Sequence, residues 1–240
     1  MFPFVSSDFK RRIRATTEFG LQYNYQMRPE FTRIVASAGW SYKWGVQQQR
    51  SQHRIDLLDI NYLYMPSIDQ TFKEDYLEKD ENYILKYNYE DRFIVRTGYS
   101  YIYNSAGRAL MNNSGIGNSY TIRLNFESAG NLLYAVAKLG GMKKNASGEY
   151  TLLNIPFAQY LKGDFDFAKN LVIDNRNSLA FHFGAGIAIP YGNATMLPFE
   201  KRYFSGGANS VRGWSVRDLG PGSFPGDNNF IEPVGRHQAG

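Results

Sequence analysis

No cysteine occurs among the 240 residues, which excludes a disulfide scaffold and thiol chemistry and leaves the compartment open. Long hydrophobic runs are also missing. The longest apolar stretches are short pieces such as Ile34-Val35-Ala36, far below the roughly 18 consecutive apolar residues of a membrane-crossing helix. The formal charge of +5 is modest, and its only tight cluster is Lys10-Arg11-Arg12. A nucleic-acid surface needs a stripe of such clusters, so no nucleic-acid partner is expected. The opening Met1-Phe2-Pro3-Phe4 has neither the charged nor the apolar region of a secretory signal. No phosphate loop or dinucleotide fingerprint appears, and His53, His182 and His237 are too dispersed for metal-ligand spacing. No cofactor and no metal are expected.

What is present is aromatic. Eighteen Tyr and seventeen Phe accompany 20% charged residues and a mean hydropathy of −0.44. Those figures conflict for a chain with an ordinary buried core. They agree if half of each strand faces lipid and half faces water. Strict two-residue alternation supports this. Phe19, Leu21, Tyr23 and Tyr25 are separated by Gly20, Gln22 and Asn24; Tyr120, Ile122, Leu124 and Phe126 alternate with Thr121, Arg123 and Asn125. Leu179, Phe181, Phe183, Ala185, Ile187 and Ile189 alternate with Ala180, His182, Gly184, Gly186 and Ala188. Such a period gives each strand one apolar and one polar or small face.

The alternation places strands near 17–27, 31–44, 54–65, 92–104, 118–128, 157–168 and 178–190. A β-sandwich also alternates, but its strands are typically about 5–6 residues long. These strands are longer and end in Tyr23/Tyr25, Trp40/Trp44, Tyr62/Tyr64 and Tyr99/Tyr101/Tyr103, as aromatic girdles at a membrane surface do. The fold expected is all-β, an antiparallel transmembrane β-barrel. The connections 27–30 and 170–177 read as short turns, and 67–91, 105–117 and 129–153 as long polar loops, with residues for a helical turn in 67–82. Ser100 or Ser178 with His182 makes a conceivable nucleophile pair, but no Gly-x-Ser-x-Gly elbow accompanies it. Asp164 and Asp166 share a face, as paired catalytic carboxylates do and as ordinary lumenal charges do.

Alternation ends at Tyr191. Later comes Leu197-Pro198-Phe199-Glu200-Lys201-Arg202-Tyr203-Phe204-Ser205-Gly206-Gly207-Ala208-Asn209-Ser210-Val211-Arg212-Gly213-Trp214, then Leu219-Gly220-Pro221-Gly222. This resembles the long sixth extracellular loop of the BamA/TamA superfamily of outer-membrane assembly proteins, which carries an aromatic-rich approach, a Gly-Gly turn, a Val/Ile-Arg-Gly-aromatic tetrad and Leu-Gly-Pro. The stretches 24–29 and 127–131 resemble members from Bacteroidetes-type bacteria, including the TamA-like lipoprotein branch. The resemblance implies that the loop folds into the barrel lumen and that Arg212 meets acidic or aromatic groups on its wall. An Arg suits that role because its planar fork binds carboxylate in a bidentate way and stays charged. Gly206, Gly207 and Gly213 would permit tight turns, Val211 completes the tetrad and Trp214 would pack as an anchor. In the family the acidic partner follows the loop; within this chain the candidate lumenal partners are Glu127, Asp164 and Asp166.

Seven strands leave two open edges, and unpaired backbone in hydrocarbon costs several kcal/mol per group. The resemblance implies a barrel of about sixteen strands behind periplasmic POTRA repeats. Residues 1–190 then read as seven middle strands, the fifth to the eleventh, and 191–240 as the long sixth extracellular loop, with signal, POTRA repeats and seam strands outside this chain. The function implied is non-enzymatic insertion, assembly or translocation of proteins in the bacterial outer membrane by strand addition at a lateral seam. The partners implied are outer-membrane lipid, nascent outer-membrane or surface proteins as clients, and accessory assembly proteins reached through POTRA domains. The alternatives are a porin-like channel or receptor barrel, which has no reason to keep the tetrad, and a two-partner-secretion transporter, which shares it.

Overall fold

The computed structural model describes residues 15–46, 50–77, 83–106, 118–145, 148–174, 176–208 and 211–214. Seven strands form one sheet in sequence order: β1 (Thr16–Met27), β2 (Phe31–Val46), β3 (Ser51–Ile68), β4 (Arg92–Asn104), β5 (Ser119–Ala129), β8 (Tyr160–Val172) and β9 (Ser178–Pro190). The register is antiparallel from β3 onward, with Tyr99 opposite Phe126, Leu124 opposite Phe165 and Phe167 opposite Phe183. The sheet is open: β1 and β9 are its edges. It is the all-β, antiparallel arc of a transmembrane barrel.

Cross-strand pairing follows from the alternation. Opposed residues share a face, so the aromatic positions gather on one side of the sheet. Tyr62 stacks on its register partner Phe93 with centroids 4.7 Å apart. Phe19 stacks on Trp40 at 5.6 Å, and Trp44 on His53 at 5.0 Å. Phe181, Phe183, Ile187 and Ile189 of β9 stand exposed on that same face. Among the described residues no helix is long and apolar enough to cross a membrane.

The strands depart most from the expected bounds in two places. β3 extends to Ser51–Ile68 at both ends. β8 begins at Tyr160 rather than 157 and continues to Val172. Phe157, Ala158 and Gln159 are buried instead: Phe157 bridges to Phe93 in parallel, and Ala158 N–H donates to Phe93 O at 2.9 Å. The β8–β9 turn is correspondingly tight. The Asp174 carboxylate accepts from the backbone N–H of Arg176 (2.7 Å) and Asn177 (2.8 Å) and from the Asn177 side chain (2.8 Å). The Asn177 side chain, then the backbone donors, hold that carboxyl below the usual carboxylate range.

The long connections are more ordered than a polar loop. Segment 67–91 carries α1 (Gln70–Phe72), a π-helical turn (Lys73–Leu77) and α2 (Tyr83–Asn88). Segment 129–153, expected as a loop, contains α3 (Asn131–Leu139) and leads into a two-residue hairpin of β6 (Thr151–Leu152) and β7 (Ile155–Pro156). Its turn places Leu153 at φ 52 and Asn154 at φ 65, the left-handed geometry that tight hairpins require. Most of the expected loop 105–117 lies outside the described residues.

The described chain forms two compact units. One contains most of the sheet and the connection between β5 and β8. The other gathers residues 26–33, 64–91 and the segment from Leu197. In this second unit Phe72 and Leu77 are buried against Ile68 and Tyr89. Tyr89 sits edge-on to both Phe31 (5.2 Å) and Phe72 (5.3 Å), and its burial pushes the phenol up.

Candidate functional site

The polar face of the sheet is built around Arg96. Alternation alone would set Asp56 and Asp59, three residues apart, on opposite faces. A β-bulge between them opposes Asp56 to Gly98 and Asp59 to Arg96, so three steps of β3 match two of β4. Both carboxylates therefore face Arg96. Its Nη1 donates to Glu127 Oε2 at 3.0 Å and lies 3.6 Å from Asp56 Oδ2; its Nη2 pairs with Asp59. The Tyr160 hydroxyl donates to the other oxygen of Glu127, and Arg54 Nε donates to Asp56 at 2.6 Å.

Gly98 makes room for this arrangement. It stands between Asp56 and Glu127 on the flanking strands. A Cβ there would lie 3.5 Å from the Asp56 carboxylate and 3.6 Å from Arg96 Nη1, so a longer side chain would occupy the space of the guanidinium. The result is a fixed planar cation with charged acceptors on three sides, which is strong structural glue. Further along the same face His182 Nε2 lies 2.7 Å from Asp166 Oδ2. Ser178, four residues away on the same strand, pairs with Val172.

The tetrad forms a closed turn. Trp214 N–H donates to Val211 O at 3.1 Å, and Gly207 N–H donates to Trp214 O at 2.8 Å. Gly206 (φ 96) and Gly207 (φ 93) lie in the left-handed region that favours glycine. Gly213 has no such φ, and a Cβ on it would meet nothing within 4 Å; nothing in the structure explains its glycine. Arg212 Nε donates to Ala208 O at 3.2 Å, and its side chain is exposed. Trp214 is about half exposed rather than packed. Leu219, Gly220, Pro221 and Gly222 lie outside the described residues, as do Asn209 and Ser210.

Of the three candidate partners of Arg212, Glu127 is engaged by Arg96 and Tyr160 and Asp166 by His182, while Asp164 faces Asn125 and Gly186 across the strands. The base of the segment is held by other residues. Glu200 pairs with Arg33 of β2. Arg202 Nε donates to Leu197 O at 2.9 Å and its guanidinium lies 6.0 Å from the ring of Tyr87 in α2. Nothing in the alternation singles out Arg33, Arg96 or Asp56. The one available signal was Asp56-Leu57-Leu58-Asp59, where two adjacent apolar residues interrupt the alternation.

A family model described as the Omp85 superfamily domain matches residues 5–231. No curated protein and no solved structure matches the chain.

Proposed function

The chain belongs to the Omp85 superfamily, and from that membership we propose that it serves a non-enzymatic outer-membrane barrel which admits client proteins by strand addition at a lateral seam. At the family level the activity is insertion or translocation of proteins in the outer membrane. Strand addition fits that chemistry, because main-chain hydrogen bonds supply the affinity and no nucleotide is consumed. The clients are nascent outer-membrane or surface proteins, and accessory assembly proteins engage through POTRA repeats. The Bacteroidetes-type, TamA-like lipoprotein branch is the one we favour within the superfamily.

The observation that carries this reading is the segment after β9, with left-handed glycines at 206 and 207 beneath a closed Val211–Trp214 turn. In the proposal the segment folds into the lumen, where Arg212 pairs with a wall carboxylate and steadies the barrel during gating.

The test is Arg212→Ala in the full-length protein. Folded barrels migrate differently in gels before and after heating, so the fraction in the heat-modifiable form and the steady-state level of other outer-membrane barrels are read together. Both should fall. Wild-type migration with normal client levels sinks the role of Arg212. Loss of one solute's uptake alone, with all clients at normal levels, replaces the insertase by a channel.

A further inference from the structure

The connection between β5 and β8 presents an apolar stripe outward. Helix α3 is mounted firmly on the sheet. Gly130, at φ 73, donates its N–H to Val95 O at 2.9 Å. Asn131 donates to Ser128 Oγ (2.7 Å) and accepts from Gln159 (2.9 Å) and the Tyr191 hydroxyl (2.7 Å). Its inner face holds the buried Ala137, with Tyr134 edge-on to Tyr150 at 5.4 Å. The outer face carries Leu132, Val136 and Leu139, which are 64%, 57% and 90% exposed. Their spacing of four and three residues puts them in one line along the helix. Met142 follows, also exposed. A helix in water turns such a stripe toward a core; one left outward marks a surface that meets something apolar.

We propose that α3 is an interfacial helix that lays Leu132, Val136 and Leu139 into the rim of the lipid bilayer, with adjacent lysines on anionic phosphate headgroups. Two observations select lipid over protein. The first is continuity: α3 starts two residues after Ala129 of β5, whose Leu124 and Phe126 stand exposed on the apolar face that meets lipid. The second is charge. From Asn131 to Gly148 the only charged residues are Lys138, Lys143 and Lys144. An apolar stripe flanked by cations and free of acids is the pattern of a helix lying in a membrane surface.

The experiment uses the full-length protein reconstituted in vesicles containing phosphatidylglycerol. The chain has no cysteine of its own, so V136C carries a single environment-sensitive fluorophore within it, and L124C on the strand face is the reference. Lipids spin-labelled near the headgroup should quench V136C and lipids spin-labelled along the acyl chain should quench L124C, at the middle of β5, while aqueous iodide should quench neither. The combined change L132D/L139D should expose the V136C label to iodide without altering heat-modifiable migration. K143Q/K144Q should weaken the lipid quenching of V136C in anionic vesicles and not in neutral ones. Iodide quenching of V136C in the unaltered background overturns the proposal, and so does shielding from both quenchers, which means protein covers the stripe. The proposal rests on the membrane reading of the sheet. If L124C is not quenched by lipid, that reading fails; if only V136C fails, the fault lies with α3.

Discussion

Arg96 illustrates how one side chain can hold a sheet together from its polar face. Three carboxylates converge on it, and its own side chain is only 19% exposed. Removing the cation strands Asp56, Asp59 and Glu127 against one another, at a cost of about 3 kcal/mol for a half-buried charge cluster. Arg96→Met should therefore lower the temperature at which the heat-modifiable form is lost by several degrees, and Gly98→Leu should do the same by occupying the guanidinium's space. An unchanged transition for both variants, read by gel mobility and circular dichroism, would remove Arg96 from the account. Asp174 offers a second residue-scale test, this one by pH. Its carboxyl is depressed in the folded turn by donors from Asn177 and Arg176. A depressed group contributes stability above its unfolded value and loses it as pH falls through the folded value. The turn should thus loosen only in acid below the ordinary carboxylate range, and Asp174→Asn should abolish that acid dependence in the backbone exchange of the β8–β9 turn. Equal acid sensitivity in the variant would assign it to another group.

At the scale of elements, the bulge in β3 is what makes the Arg96 cluster possible, and it can be tested by deletion. Removing Leu57 leaves Asp56 opposite Gly98 and Asp59 opposite Arg96 with two steps on each strand, so both acids stay on the polar face and the barrel should still assemble. Removing Ile60 cannot be absorbed so easily. Either Asn61 turns to the lipid face, or the bulge closes and Asp59 does, and a polar or charged group facing hydrocarbon is costly. Deletion of Ile60 should abolish heat-modifiable folding while deletion of Leu57 preserves much of it; equal outcomes would contradict the register. The same contrast explains what could be read in advance. Alternation located β1, β4, β5 and β9 because each has one wet and one apolar face along its whole length. It misplaced the start of β8 because Phe157-Ala158-Gln159 is buried against β4, where burial on all sides erases the period. It missed α3 because Leu132, Val136 and Leu139 follow a helical period within a stretch that also holds Lys143, Lys144 and two adjacent glycines, and composition there suggests a loop. The tetrad was legible as a motif, but its closure onto Gly207 rests on backbone hydrogen bonds that no side chain announces.

At the scale of the whole molecule, the decisive feature among the described residues is that the sheet is open, with β1 and β9 at its ends. β1 and β9 each offer a row of backbone donors and acceptors along an apolar face that includes Leu21, Tyr23, Phe181, Phe183 and Ile187. In hydrocarbon every one of those groups must find a partner, and only a closed cylinder supplies them all. The arc is therefore stable in a bilayer only within a larger ring, and backbone exchange can show it. Along an antiparallel strand, alternate amides point to opposite neighbours. Amides of β9 that point to β8 should resist exchange in any folded form. Those that point away should resist it in the full-length protein in lipid and exchange freely in the isolated 240-residue chain in detergent. Rapid exchange of that second set in the full-length protein would mean β9 is a true edge in the membrane. The lateral seam would then lie beside β9 instead of elsewhere in the ring.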